Sequence, residues 1–252
     1  SQMTIAEAEK LFGAAERLLA SGDLEKAGDA YRRNADTHAF AARRLLWITG
    51  SNAGTHYEAR QILERLFERN ENDAVAINVQ ACLDLAAGDL HGAVDGFEAL
   101  GLKAVQEGDV DSRIFSDLVV GELLIDDDPA RSAESMEAVL ALSPKSVAAL
   151  KGLAQTRKMM EDWGGAVLVL EKLLAELRDP PGRLEIHMAL ADLFMHRLGK
   201  HRDAILHFRR AQAIEPEHLP ALAGLFPGEY QLTSIFNIIT PRESKYHQKN
   251  RI

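Results

Sequence analysis

Small and apolar residues recur along this chain at spacings of four and three, and the motif itself returns about every 34 residues. Its anchor is a small residue: Ala27, Ala59, Ala93, Ser132, Ala166 and Ala204, separated by steps of 32, 34, 39, 34 and 38. Four positions later stand Tyr31, Leu63, Phe97, Met136, Leu170 and Phe208. Three beyond those stand Asn34, Leu66, Leu100, Val139, Leu173 and Ala211. Offsets of four and three put the three positions on one face of an α-helix. Twelve residues before the anchor stand Ala15, Trp47, Ala81, Val120 and Ala154; in the sixth unit one inserted residue shifts the position to Ala191. A small side chain there lets two helices approach closely, so Trp47 predicts a widened second pair. Self-similarity at this period predicts stacked helix pairs, over about 4–36, 39–72, 73–106, 112–145, 147–179 and 184–217. A seventh helix beginning within 218–226 is expected to cap the last apolar face.

The breaks between helices follow turn chemistry. Ser21-Gly22-Asp23 and Gly88-Asp89 read as a helix-ending glycine followed by an N-capping aspartate. Pro144, Pro180-Pro181 and Pro216 read as breakers between pairs. The fourth unit departs, with Asp127 where glycine is usual, and the steps into the fourth and sixth units are long. Lengthened helices or loops are expected at those two places.

This arrangement resembles the tetratricopeptide repeat (TPR) family, most clearly at Ala204-Ile205, Phe208, Ala211 and Pro216, and at Leu150, Leu153-Ala154, Trp163 and Ala166. The resemblance implies an all-α, TPR-type right-handed superhelix of about six helix-turn-helix repeats with a C-terminal capping helix, over residues 1–226. It also implies a concave groove lined by the first helix of each pair. Carried onto this sequence, the groove positions include Arg44, Ile48, Asn78, Cys82, Leu85, Ile114, Leu124, Lys151, Gln155 and Lys158, with Phe12 and Glu16 at the same positions of the first pair. The middle of that set is apolar and its flanks are polar. Such a surface suits a protein or peptide partner, with pockets for affinity and donors for register. The carboxylate clamp of chaperone-binding members is absent, because its places hold Phe12, Glu16, Ile48, Asn78 and Cys82.

Residues 227–252 break the pattern. They lose Ala and Leu, gain Ile, Asn, Thr, Lys and Tyr, and carry a net charge of +2, leaving −11 on the rest. This atypical tail reads either as a disordered terminus or as a docking peptide that drives self-assembly into homo-oligomers. A further reading makes the chain an accessory module of a larger enzyme or an envelope-biogenesis complex.

Composition narrows the function classes. The chain is 46% hydrophobic, 27% charged and only 6% aromatic, with a body rich in Ala, Leu, Arg and Gly in bacterial style. A net charge of −9 over 252 residues argues against nucleic acid as the partner. No apolar run approaches the 18 residues of a membrane span. Cys82 is the lone cysteine, which excludes an internal disulfide and favours a reducing, cytoplasmic compartment. The start Ser1-Gln2-Met3 leaves room for a trimmed export signal.

No catalytic, cofactor or metal motif is present, so a non-enzymatic scaffold is expected. His201-Arg202-Asp203 lacks every companion of a kinase catalytic loop. His187 and His196 stand nine apart rather than four, so His187, His196, His201 and His207 are expected to be surface residues. Asp126-Asp127-Asp128-Pro129 reads as a helix-capping turn. Cys82 has no base one turn away and reads as a small apolar residue.

Overall fold

The computed structural model of the chain describes residues 5–225, and every regular element among them is helical. The tail 227–252 and its expected docking role lie outside the described residues. The chain divides after Leu123 into two compact units.

In the first unit, α1 (Ile5–Ala20) pairs with α2 (Leu24–Arg32), α3 (Ala39–Gly50) with α4 (His56–Arg69), and α5 (Ala74–Ala86) with α6 (Leu90–Glu107); α7 (Val110–Leu123) packs on α6. In the second, α8 (Pro129–Leu142) packs on α9 (Val147–Met159), α9 pairs with α10 (Trp163–Glu176), α11 (Pro180–Asp192) pairs with α12 (His201–Ile214), and α13 (Leu219–Leu225) lies on α12. The expected fourth pair, α7 and α8, thus contributes one helix to each unit. This is an all-α fold of stacked antiparallel helices of TPR type.

The repeat anchors form the floor of both cores. Ala27, Ala59, Ala93, Ser132, Ala166 and Ala204 are all fully buried. Tyr31, Leu63, Phe97, Met136, Leu170 and Phe208, one helical turn on, are buried beside them. Each large side chain so placed contributes roughly 1.5–3 kcal/mol. The one polar anchor is accommodated, because Ser132 Oγ and Thr156 Oγ1 share a buried hydrogen bond of 3.0 Å.

Turn chemistry behaves as expected at two sites. Gly22 and Gly88 take positive φ, and Asp23 and Asp89 cap the helices that follow them; Gly199, at the same place in the sixth pair, also takes positive φ. In the fifth pair the same position is Glu161, at φ 57°. A left-handed backbone costs a residue with a Cβ about 1–2 kcal/mol, partly offset by the greater unfolded-state entropy of glycine. Glu161→Gly is therefore expected to stabilise the second unit by about 0.5–1 kcal/mol, read as a higher urea midpoint. An unchanged or lower midpoint would contradict the strain assigned to this turn.

Three expectations need correction. Trp47 does not wedge the second pair apart; it is 52% exposed, and Leu46 is the buried residue beside it. The cause is a five-residue connection, 51–55, with a 3₁₀ turn at Ala53–Thr55, against three residues between α1 and α2. The longer loop displaces the register by one. Pro180 is not a breaker between pairs but opens α11, whose N-cap Asp179 accepts from the Gly182 amide at 2.7 Å. Proline fits there because first-turn amides lack helical acceptors. The histidines also divide: His187 and His207 are buried, while His196 and His201 are exposed.

Both long steps have structural causes. The step of 39 is absorbed by α6, which runs 18 residues and ends at Gly108 in the left-handed region. The step of 38 is absorbed by a π-helical turn, Leu193–Arg197, which prolongs α11. A π turn takes up one extra residue without breaking the helix, which is why the close-approach position moved to Ala191.

Candidate functional site

The first unit contains an open cleft of about 540 Å³. Its walls come from four helices: the end of α3 and its cap (Trp47, Gly50, Ser51), α5 from Ala74 to Cys82, the end of α6, and the start of α7. The extra turn of α6 forms one side, through Lys103, Ala104 and Glu107. The displaced register of α3 supplies another, because it turns Trp47 outward into the cleft.

The lining is chiefly apolar. Trp47 and Phe115 are each about half exposed, at 52% and 50%, and Val75 is 37% exposed. Phe115 is held edge-on against buried Phe97, ring centres 6.2 Å apart, so its position is set by the core behind it. Large aromatic groups left in water inside a concavity are unusual for a core and common at sites that receive another molecule. Polar groups lie among them. Cys82 Sγ donates to Asn78 Oδ1 at 3.6 Å. Lys103 pairs with Glu107 at 3.1 Å. Asp109 caps α7 by accepting from the amide and hydroxyl of Ser112. Burial pushes the Cys82 thiol above its ordinary value, so it stays a neutral thiol at pH 7 and is a poor nucleophile.

The groove residues expected from sequence separate into several environments. Asn78 and Cys82 line the cleft. Arg44 points to Glu16 instead, with bonds of 2.9 and 3.2 Å, and its guanidinium stacks over Phe40 at 5.2 Å. The same Glu16 accepts from the Tyr31 hydroxyl at 2.5 Å. Burial, and then that carboxylate, raise the Tyr31 pKa well above its usual range. Ile48 packs against the core of the first two pairs. Leu85 is exposed on α5 and Ile114 half-buried on α7, and neither lines the cleft. Lys151, Gln155 and Lys158 stand on α9 in the second unit and do not line it.

Two groove positions are contradicted. Leu124 is 1% exposed and Phe12 is 2% exposed, so both are core residues. Phe12 is closed in by Tyr31, His38 and Phe40, with ring centres at 6.0, 5.7 and 5.3 Å. The cleft residues missed from sequence include Trp47, Val79, Lys103, Glu107 and Phe115. The 39-residue step was the signal for the α6 group, since extra chain there had to project somewhere. Among the described residues no group of three or more His, Cys, Asp or Glu is placed to hold a metal, and no helix is long and apolar enough to cross a membrane.

The fold has solved counterparts. PilW, described as a widely conserved type IV pilus biogenesis factor, matches with a TM-score of 0.58 at 15% identity over 89% of this chain and 100% of that one. A tetratricopeptide repeat protein from Parabacteroides merdae matches at 0.57 and 15% identity, over 86% and 96%. YrrB, described as a TPR protein with an unusual peptide-binding site, matches at 0.56 and 14% identity, over 77% and 94%. No protein-family model and no curated protein sequence matches the chain. At these identities the likeness is one of architecture: the chain has the fold of tetratricopeptide repeat proteins.

Proposed function

We propose that the chain is a non-enzymatic scaffold whose first unit receives a segment of a partner protein in the α3–α5–α6–α7 cleft. The observation that carries this reading is the pair of half-exposed aromatic rings, Trp47 and Phe115, facing an open cleft of about 540 Å³. A volume of this size takes a few side chains rather than a whole domain. The partner segment is one that inserts an aromatic or branched aliphatic side chain between the rings. Asn78 and the Lys103–Glu107 pair then meet its backbone or flanking polar groups. The fold is also that of YrrB, whose description records a peptide-binding site.

The test is a phage-displayed peptide library selected on the whole chain, followed by anisotropy measurements on the selected peptides. Trp47→Ala removes an anchor ring, and Ala74→Trp fills the cleft from its wall. Each is expected to weaken the selected peptides at least tenfold, about 1.4 kcal/mol. Lys151→Glu in the second unit is expected to leave affinity unchanged. Selected peptides indifferent to both cleft variants would overturn the reading.

A further inference from the structure

The last full pair of the second unit buries two histidines against each other. His187 of α11 and His207 of α12 are 4% and 5% exposed, and their Nδ1 atoms stand 3.1 Å apart. At that distance one Nδ1 must carry a proton and donate to the other. The pair therefore holds one shared proton between two neutral rings of opposite tautomer. Phe194, from the π-helical turn, stacks on the His207 ring at 5.6 Å and closes the site.

Fixed charge surrounds the pair. Arg183 of α11 and Arg210 of α12 both disfavour a charged ring, and only Asp203 of α12 favours one. Arg183 cannot readily withdraw, because its Nη1 donates to the Leu174 and Leu177 carbonyls at 2.8 and 3.1 Å. The ionisable side chains of α10 point elsewhere: Glu171 and Lys172 are exposed, and Glu176 faces Lys145 at 3.9 Å. His196 and Arg197 of the π turn are exposed, Lys200 beyond it reaches back over the Phe194 ring at 6.0 Å, and α13 has no ionisable side chain. Glu185 and Asp192 of α11 are exposed, and Asp192 lies against His196 at 3.8 Å, so among the described residues an added proton meets no carboxylate in contact to neutralise it.

We propose that the His187–His207 pair is an acid-released latch, which holds α11, the π turn, α12 and α13 together when neutral and lets them separate from one another when acid charges the rings. The first added proton charges one ring inside the buried site, and protonating both sets two Nδ1–H groups face to face, so that the bond is lost and like charges meet. The π turn is the natural place to yield. Its backbone already departs from the α-helical pattern, with the Leu198 amide bonded to Leu193 and the Lys200 amide to Phe194. Opening exposes Leu190, Phe194 and Phe208, which are buried when the latch is shut.

Burial above all, then the neighbouring charges, pushes His187 down to about 4, and burial also lowers His207. A histidine lowered in the closed state keeps the latch at full strength above its free value of 6.5 and loses strength as pH falls toward 4. For His187 alone, linkage gives about a thirtyfold rise in the open population at pH 5 over pH 7.5.

The experiment is hydrogen exchange by mass spectrometry on the whole chain at pH 7.5 and pH 5, corrected for intrinsic exchange. Peptides covering 180–225 are expected to open at least tenfold more often at pH 5, while those of α9 change less than threefold. In His187→Gln with His207→Gln, the acid increment is expected to vanish. Should that variant be unfolded at pH 7.5, nitrogen-15 histidine spectra of the natural chain decide the matter. Rings that stay neutral until below pH 5.5 support the latch. Rings that titrate near 6.5, or an acid increment spread evenly over the second unit, would overturn it.

Discussion

Phe12→Ala is expected to destabilise the first unit by about 3–5 kcal/mol, the cost of emptying a large buried aromatic site. Its ring is 2% exposed and contacts Tyr31, His38 and Phe40 on three sides. Those rings come from α2, from the connection after it and from α3, so the cavity would loosen two successive pairs together. Arg44→Ala is the contrasting change. Arg44 occupies the same repeat position one pair later, but it is a half-exposed ion-pair partner, worth under about 1 kcal/mol. Urea unfolding followed by circular dichroism separates the two. A loss below 1 kcal/mol for Phe12→Ala would mean that its ring does not seal the core.

A second large effect is expected at Asp73, the residue before the cleft-lining Ala74. Asp73 is 3% exposed and caps α5 by accepting from the Val75 and Ala76 amides, both at 3.1 Å. It also binds Arg43 of α3, at 2.6 Å. Asp73→Ala removes a cap worth about 1 kcal/mol and a charge-assisted bond worth about 1.5–3 kcal/mol. The expected loss is about 2–4 kcal/mol, against about 1 kcal/mol for Asp89→Ala, whose cap is exposed and makes a single amide bond. Because Asp73 ties α3 to the start of α5, the variant is also expected to weaken any cleft-bound peptide. Equal losses at Asp73 and Asp89 would show that the Arg43 bond contributes nothing.

The fold was legible because its determinants are local and periodic. Ala27, Ala93 and Ala204 announce a helix face by spacing alone, and Gly22 and Gly88 announce turns by their backbone freedom. The site was less legible because a repeat position has no single environment. Position five holds a sealed ring at Phe12, an ion pair at Arg44 and a cleft wall at Asn78. What distinguishes them is loop length and neighbouring bulk, which no alignment of repeats records. Trp47 became a cleft residue through two added residues in the following turn. Burial of His207 could have been read from sequence, since it falls three past the anchor Ala204 and one before Phe208, on the inward stripe. Its partner His187 could not, because the π turn changes the register between the two helices.

Within the first unit, the long α6 makes one location unlike its neighbours. Regular stacking offers a visitor the same surface at each step, with nothing to tell one step from the next. The overhang from Ala104 to Glu107 is a landmark. On the proposed reading, a guest chain that meets it would settle in one frame only, so a surplus turn of helix would give a monotonous scaffold an address.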